Sequence, residues 1–291
     1  MKAADQAIQR PPRARLLHLD ACGRLQHLPR RDFASLLRPG DLVIANDAAT
    51  LPASLHGKHL PSGAAIEVRL AGRASLAPQD VLEFSAVVFG AGDYRSRTED
   101  RPVPPLLRRG ERLRLGSLTA RIDALLDHPR LVRLRFEHAP AEVWAGLAAA
   151  GRPIQYAHLS APLRLWDVWT AVAGVPAAFE PPSAGFVLDW ALLAQLRRRG
   201  IAFATLTHAA GISSTGDAAL DARLPFDEPY RIPRSTAAAI RAARTRGGRV
   251  VAIGTTVVRA LEHAGRRDGQ VPAGEGLATQ RIGPASRLRV V

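Results

Sequence analysis

The sequence predicts a mixed α/β (α+β) domain with a small antiparallel β-barrel inserted into it. Three observations carry that prediction. Between about residues 57 and 137, apolar and polar residues alternate with period two in several short runs separated by Gly, Pro and Asp. That is the pattern of half-buried antiparallel strands closing on themselves. After Pro140, helical patterns alternate with short apolar strands, which implies an α/β layer. The chain has 291 residues, 47% of them hydrophobic, enough for one or two substantial cores. The expected division is residues 1–56 and 138–291 for the α/β domain and residues 57–137 for the inserted barrel.

The elements follow in chain order. Residues 16–19 and 25–28 flank a turn at Ala21-Cys22-Gly23 and read as a hairpin. Asp32 stands where it would cap a short helix over residues 33–37, stopped by Pro39-Gly40. Leu42-Val43-Ile44 is a short apolar strand ending at Asn46-Asp47. Inside the insert, strands are expected within residues 66–70, 81–89, 113–115, 118–122 and 131–136. The polar segment 94–105 reads as a loop. Residues 141–150 are helical and end at Gly151. Residues 152–182 are Pro-rich and aromatic, without clean periodicity. Asp189 is a good N-cap for a helix over 190–199, with Gly200 as its stop. Residues 201–206 form a strand. Ser235 caps a helix over 236–244, ended by Gly247-Gly248. Residues 250–253 form a buried strand, and Gly254-Thr255-Thr256 leads into a helix over 257–263.

Composition narrows the class of protein. No run of about 18 apolar residues occurs, so no membrane span is expected. Residues 1–15 are polar and basic, without the apolar stretch of a signal peptide. Cys22 is the only cysteine, which excludes an internal disulfide and a multi-cysteine metal site. A cytoplasmic protein is the simplest expectation. The net charge is +14 and the pI about 11.4. Such a surface attracts polyanions, nucleic acid first among them. Only Lys2 and Lys58 are lysines, so the arginine excess equally fits a coding bias. Arginine does bind phosphate bidentately.

The common generic motifs are absent: no Gly-rich dinucleotide loop, no P-loop, no H-E-x-x-H and no C-x-x-C. The best local signal runs from Ile253 through Gly254, Thr255 and Thr256 to Arg259. There a strand enters a tight glycine turn and then a helix N-terminus. Free N–H groups and two hydroxyls at such a place suit a carboxylate or a ribose, although a plain βα turn has the same pattern. Asn46 and Asp47 end a buried strand, where α/β sheets place ligands or where an Asx turn closes the strand. Ser183, Ala184 and Gly185 precede a helix and let a ligand approach the backbone. His208 and Gly211 follow a strand, with His208 readable as a base or as a surface histidine. Asp227-Glu228-Pro229-Tyr230 offers an acidic pair beside a phenol, a set suited to acid/base work or to solvent.

Taken in this order, these segments resemble the S-adenosylmethionine:tRNA ribosyltransferase-isomerase family of queuosine biosynthesis. The family's G-D-L-x-V-x-N-D block and its continuation to P-A-R-L-x-G read here from Gly40 to Gly57. Its A-P-T-A-G-L-H-F reads from Pro181 to Leu188, and its H-S-E-x-Y from Phe226 to Tyr230. Its G-x-V-x-x-V-G-T-T-S-V-R-x-L-E reads from Gly248 to Glu262. Its P-G-x-x-F-x-V-V reads from Ile282 to Val291. The likeness covers almost the whole chain and implies an α/β domain interrupted by a β-barrel. The implied reaction moves the ribosyl part of S-adenosylmethionine onto the aminomethyl group of 7-aminomethyl-7-deazaguanine at the tRNA wobble position. The ribose rearranges to an epoxycyclopentanediol, adenine and methionine leave, and the product is epoxyqueuosine. S-adenosylmethionine is a substrate, tRNA is the partner, and no metal is expected.

The resemblance makes Glu228 the acid/base candidate, as the acidic position shared with the H-S-E motif, with His208 in reserve. It implies a substrate site of Asn46, Asp47, Ser183, Ala184, Gly185, Gly211, Tyr230, Gly254, Thr255, Thr256 and Arg259. Several motif positions differ. The family's T-R/K after N-D is Ala48-Ala49, the Arg of P-A-R-L is Ser54, and the histidines of A-G-L-H-F and H-S-E are Val187 and Phe226. Its L-H-V-G reads Leu206-Thr207-His208-Ala209, so a histidine stands one place later. Its T-N-F-H-L-P segment has no counterpart in these residues. Two other readings therefore stand beside the family reaction: a relative using S-adenosylmethionine on a small molecule, and a non-catalytic RNA- or ligand-binding relative.

Overall fold

The computed structural model describes residues 15–291. The reading of the first 14 residues as polar and leaderless lies outside them. Strands β1 (Arg15–Leu19) and β2 (Leu25–Pro29) form the expected hairpin. The next turn is a 3-10 helix, Arg30–Leu36, preceded by Pro29 with no side-chain cap. Asp32 lies in its first turn instead of capping it. Pro29 donates no N–H and fixes the entry dihedral, so the turn starts earlier than a cap at Asp32 would allow.

Strand β3 (Leu42–Asn46) is buried throughout, followed by β4 (Ala48–Thr50). The chain then enters the insert through β5 (Ser54–His59), β6 (Ala65–Gly72), β7 (Glu83–Phe89), β8 (Arg112–Leu115), β9 (Leu118–Leu125) and β10 (Leu131–Phe136). These close into a barrel in the order β10-β7-β6-β5-β8-β9, every pairing antiparallel. The barrel's first strand begins at Ser54. A 3-10 turn over Pro78–Leu82 occupies the start of the stretch expected to be strand, so β7 begins at Glu83. Closure removes the sheet edges, and alternate residues such as Ile66, Val68 and Leu70 fill the interior. Each side chain of that size buried fully is worth about 1.5–3 kcal/mol. Helix α1 (Pro140–Ala150) packs on the barrel through Val143 and Leu147. A Cβ at Gly146 would stand 2.5 Å from Leu118, so that close approach requires glycine.

The remaining elements return to the α/β layer. They are β11 (Val175–Ala178), α2 (Trp190–Arg198), β12 (Ala202–His208), α3 (Ala218–Asp221), β13 (Glu228–Ile232), α4 (Arg234–Thr245), β14 (Val250–Ala252), α5 (Thr255–Ala264) and β15 (Gly274–Ala278). Asp189 does cap α2, accepting from the Leu192 N–H, an interaction worth about 1 kcal/mol. Ser235 does not cap α4. That helix starts at Arg234 directly after Pro233, whose φ of −59° already suits helix entry.

The five-stranded sheet has the order β14-β3-β12-β13-β15. Strands β14, β3 and β12 are parallel, while β13 and β15 are antiparallel additions. Strand alternation splits the core between the two faces. Leu42 and Ile44 pack with Ile240, Val257 and Leu261 from α4 and α5. Val43 and Ala45 pack with Leu192 and Leu196 from α2. Beside this sheet, β11 pairs with β4 in parallel. Among the described residues, no helix is long and apolar enough to cross a membrane.

Candidate active site

The three parallel strands end at the same edge. Asn46 closes β3, His208 closes β12, and β14 runs into Gly254 and the first turn of α5. This carboxyl edge is where open α/β sheets leave a crevice. A cleft of about 780 Å³ opens there. Ser183, Gly211, Glu228, Thr255, Thr256 and Arg259 all line it. Residues far apart in sequence, from Ser183 to Arg259, thus meet where the three parallel strands end.

Gly254 has φ +94°, a left-handed conformation that favours glycine. The turn brings Thr255 and Thr256 to the helix start, where the first N–H groups have no carbonyl four residues back. The partial positive charge there favours an anionic or hydroxylated group. Asn46 supports the turn from below. Its Nδ2 donates to Thr256 Oγ1 at 3.3 Å and to the His208 carbonyl at 2.9 Å, and its Oδ1 accepts from the His208 N–H at 3.0 Å.

The floor of the cleft is an ion pair. Glu228 Oε1 accepts from the Gly211 N–H at 2.6 Å. Glu228 Oε2 accepts from Arg259 Nη1. Arg259 also donates to the carbonyls of Gln280, Phe226 and Ala278 at 2.8–3.0 Å, so its fork is held on every side. Burial pushes the Glu228 carboxyl above its usual range, with the Gly211 N–H and the Arg259 charge opposing.

His208 is fully buried, not at the surface. Burial, then the nearby Arg259 charge, lowers its pKa to about 3. The ring is therefore neutral at ordinary pH, and its 3.4 Å approach of Nε2 to Glu228 Oε2 is not an ion pair. A neutral, enclosed imidazole of such low basicity is poorly placed to accept a proton from a ligand in the cleft.

Seven of the thirteen predicted residues do not line the cleft: Asn46, Asp47, Ala184, Gly185, His208, Tyr230 and Gly254. Asp47 turns to β12 and accepts from the hydroxyls of Thr205 and Thr207 at 2.8 and 2.7 Å. Tyr230 lies on the same face of β13 as Glu228, one step further under α5. Arg259 and His263 are one helical turn apart, so Arg259 meets Glu228 while His263 Nδ1 meets the Tyr230 hydroxyl at 3.0 Å. Gly254, Ala184 and Gly185 flank the cleft without lining it. A Cβ at Gly254 would meet Ala184 at 3.0 Å, and one at Gly185 would meet Thr170 at 2.9 Å.

The sequence reading missed Glu180, Ser213, Asp221, Arg281 and Ile282, which also line the cleft. Glu180 accepts from the Tyr156 hydroxyl at 2.5 Å and from the Ser213 hydroxyl and N–H at 2.6 and 3.1 Å. Burial and the Glu180 charge push the Tyr156 phenol above its usual range, so it acts as a donor. Glu180 directly precedes the Pro181-Pro182 segment, and that adjacency was the one available signal. Asp221 accepts from the Thr215 hydroxyl and N–H, both at 2.6 Å.

The cleft therefore offers three carboxylates, two guanidinium groups, several hydroxyls and a helix N-terminus. That set suits a ligand carrying a positive centre, sugar hydroxyls and a carboxylate together. Among the described residues, no group of three His, Cys, Asp or Glu side chains is placed to hold a metal ion.

Comparison with known proteins adds to this geometry. The sequence profile of a family described as "Queuosine biosynthesis protein" matches residues 1–291. The S-adenosylmethionine:tRNA ribosyltransferase-isomerase of Thiobacillus denitrificans is 34% identical over 297 residues, covering 99% of this chain and 79% of that protein. The protein of the same name from Anaeromyxobacter dehalogenans is 35% identical over 279 residues, covering 92% and 74%. A crystal structure of the S-adenosylmethionine tRNA ribosyltransferase of Thermotoga maritima shares 22% identity, covers 96% of this chain and 75% of that one, and superposes with a TM-score of 0.42.

Proposed function

Because the chain belongs to the queuosine biosynthesis protein family, we propose that it catalyses the reaction for which its relatives are named. It transfers and isomerises the ribosyl moiety of S-adenosylmethionine onto 7-aminomethyl-7-deazaguanine in tRNA, giving epoxyqueuosine, and it works in the cytoplasm. The observation that carries this reading is the cleft at the carboxyl edge of β3, β12 and β14. Its groups match S-adenosylmethionine part by part. The helix N-terminus with Thr255 and Thr256 takes the methionine carboxylate or ribose hydroxyls. The carboxylates of Glu180 and Asp221 face the sulfonium charge.

The chemistry needs a base beside the carbon next to the positive sulfur, whose proton the sulfonium acidifies. Glu228 fills that role. Burial makes its carboxylate more basic than an exposed one, and Arg259 with the Gly211 N–H fixes its position. His208 is the weaker choice because its ring is hardly basic.

The reading departs from the family pattern at Ala48, Ala49, Ser54, Val187 and Phe226, so the basic groups contributed there by relatives must come from elsewhere. Arg281 in the cleft is the available substitute, since Arg259 belongs to the motif itself and is committed to Glu228 and three carbonyls. The test is to incubate the protein with S-adenosylmethionine, with and without precursor tRNA carrying the deazaguanine, and to measure released adenine. RNA-dependent release supports the reaction. Absence of adenine with both substrates present refutes it.

A further inference from the structure

A second cleft, of about 550 Å³, lies where the barrel meets the C-terminal α/β segment. It shares Pro225 and Arg281 with the first cleft, so the two adjoin. Its lining includes Arg73, Arg133, Arg223 and Arg281.

Among the described residues, three of these arginines make no hydrogen bond or ion pair to a carboxylate, the Asp80 charge acting on Arg73 from further off. Arg73 is 5% exposed, donates only to the carbonyls of Ser75 and Ala77, and its buried Nη1 has no partner at all. Arg223 donates to the Leu126 carbonyl, and Arg281 to the carbonyls of Ala222 and Arg223. Carbonyls satisfy N–H groups without balancing charge. For Arg73, the buried one of the three, an N–H left without a partner is costly unless an acceptor such as an anion completes it. Elsewhere in the molecule buried arginines do have such partners, as Arg69 and Arg101 do in Glu67.

Two other features mark the ligand. Phe226, half-buried, presents an aromatic group to the same cleft. Asp227 is exposed and, among the described residues, takes part in no hydrogen bond or ion pair, a negative charge among arginines. The remaining acids there are Glu83, which pairs with Arg133 and Arg135, and Asp127. Phosphate suits the guanidinium groups, an unstacked base suits the aromatic ring, and an ammonium suits Asp227. A nucleotide bearing an aminomethyl base has all three.

We propose that this second cleft receives the acceptor nucleotide of the tRNA, its backbone phosphates on Arg73, Arg223 and Arg281 and its aminomethyl ammonium on Asp227. The inference rests on the function proposed above. It places the flipped-out base beside the sugar donor, where the two clefts meet at Pro225 and Arg281, since the amine must reach the ribosyl carbon it bonds to.

The experiment is equilibrium binding of tRNA carrying the aminomethyl deazaguanine, by filter retention at several salt concentrations, beside calorimetry with S-adenosylmethionine. For Arg73→Gln with Arg223→Ala, the tRNA Kd is expected to rise about tenfold or more. The slope of log affinity against log salt should fall by about 2, with S-adenosylmethionine affinity unchanged. Arg223→Ala alone, at a half-buried position, gives the same result at half the slope change should the double variant not fold. Asp227→Asn should weaken binding of the aminomethylated tRNA about tenfold and leave unmodified tRNA with guanine there unaffected. Unchanged tRNA affinity and salt slope in the arginine variants would overturn the proposal. So would equal binding of both RNAs by Asp227→Asn and the parent. These readouts need no turnover, so an inactive parent enzyme would refute the proposed reaction while the docking site is judged separately.

Discussion

Replacing Arg259 by methionine tests the floor of the cleft directly. The change keeps length and apolar volume but removes every donor. It leaves Glu228, 5% exposed, with only the Gly211 N–H at 2.6 Å, and it strips the carbonyls of Gln280, Phe226 and Ala278 of their partner. Removing one member of a buried ion pair costs about 3–5 kcal/mol. For a protein of this size that is a fall in Tm on the order of 10 °C. The cost should depend on pH in a definite direction. The folded-state pKa of Glu228 is already raised above 4.5 by burial, and losing Arg259 raises it further. A group of this kind binds its proton more tightly when folded, so stability is lost as pH rises from 4.5 through the folded value. The deficit of Arg259→Met relative to the parent should be full at pH 7.5 and shrink towards pH 4.5. Adding Glu228→Gln to the variant removes the unpaired charge and should recover most of the loss at pH 7.5. Thermal melts followed by circular dichroism at the two pH values provide the measurement. A deficit independent of pH, or a double variant no more stable than Arg259→Met, would refute the charge-burial reasoning.

Three further outcomes are expected. Thr255→Val with Thr256→Val should raise the S-adenosylmethionine Kd about tenfold, by loss of two hydroxyl contacts, with Tm little changed; equal affinity by calorimetry would make the turn purely structural. Glu228→Gln should lower adenine release by at least about 100-fold if the carboxylate is the base while tRNA binding persists, and near-parental turnover would exclude that role. Asp41→Asn should cost about 2 kcal/mol at pH 7. Burial raises the Asp41 pKa, but the Arg249 guanidinium and the Arg38 and Arg249 N–H groups outweigh it and bring the value to about 2. That stabilisation is present above pH 3.8 and is lost as pH falls towards 2, so urea titrations should show parent and variant converging over that window.

The sequence carried much of the local structure because its signals were local. Period-two alternation in residues 66–70 and 131–136 follows from one face of each strand being buried. The Asp189 cap and the Gly254 turn are read from neighbouring residues alone. Strands β13 and β15 were missed because Pro229 and the glycines 274 and 276 carry no strand propensity. They are strands because β12 and each other supply the pairing. Gly276 is there for a tertiary reason, since a Cβ would stand 2.4 Å from the Tyr230 hydroxyl. The caps expected at Asp32 and Ser235 yielded to prolines just upstream.

By itself, the sequence determined the fold class, the family and the segments that bear the chemistry, since composition, periodicity and motif order are properties of the chain. Only the tertiary structure decided which motif residues meet. Glu228, Thr255 and Arg259 share a cleft because parallel strands end together. Asp47 and Tyr230, as close to the motifs in sequence, are drawn off by Thr205, Thr207 and His263. His208 was readable as surface or base, and packing made it a neutral buried ring. Glu180 and the buried, unpartnered Nη1 of Arg73 were invisible beforehand, because burial and a missing partner are facts about neighbours in space, which a linear pattern does not encode.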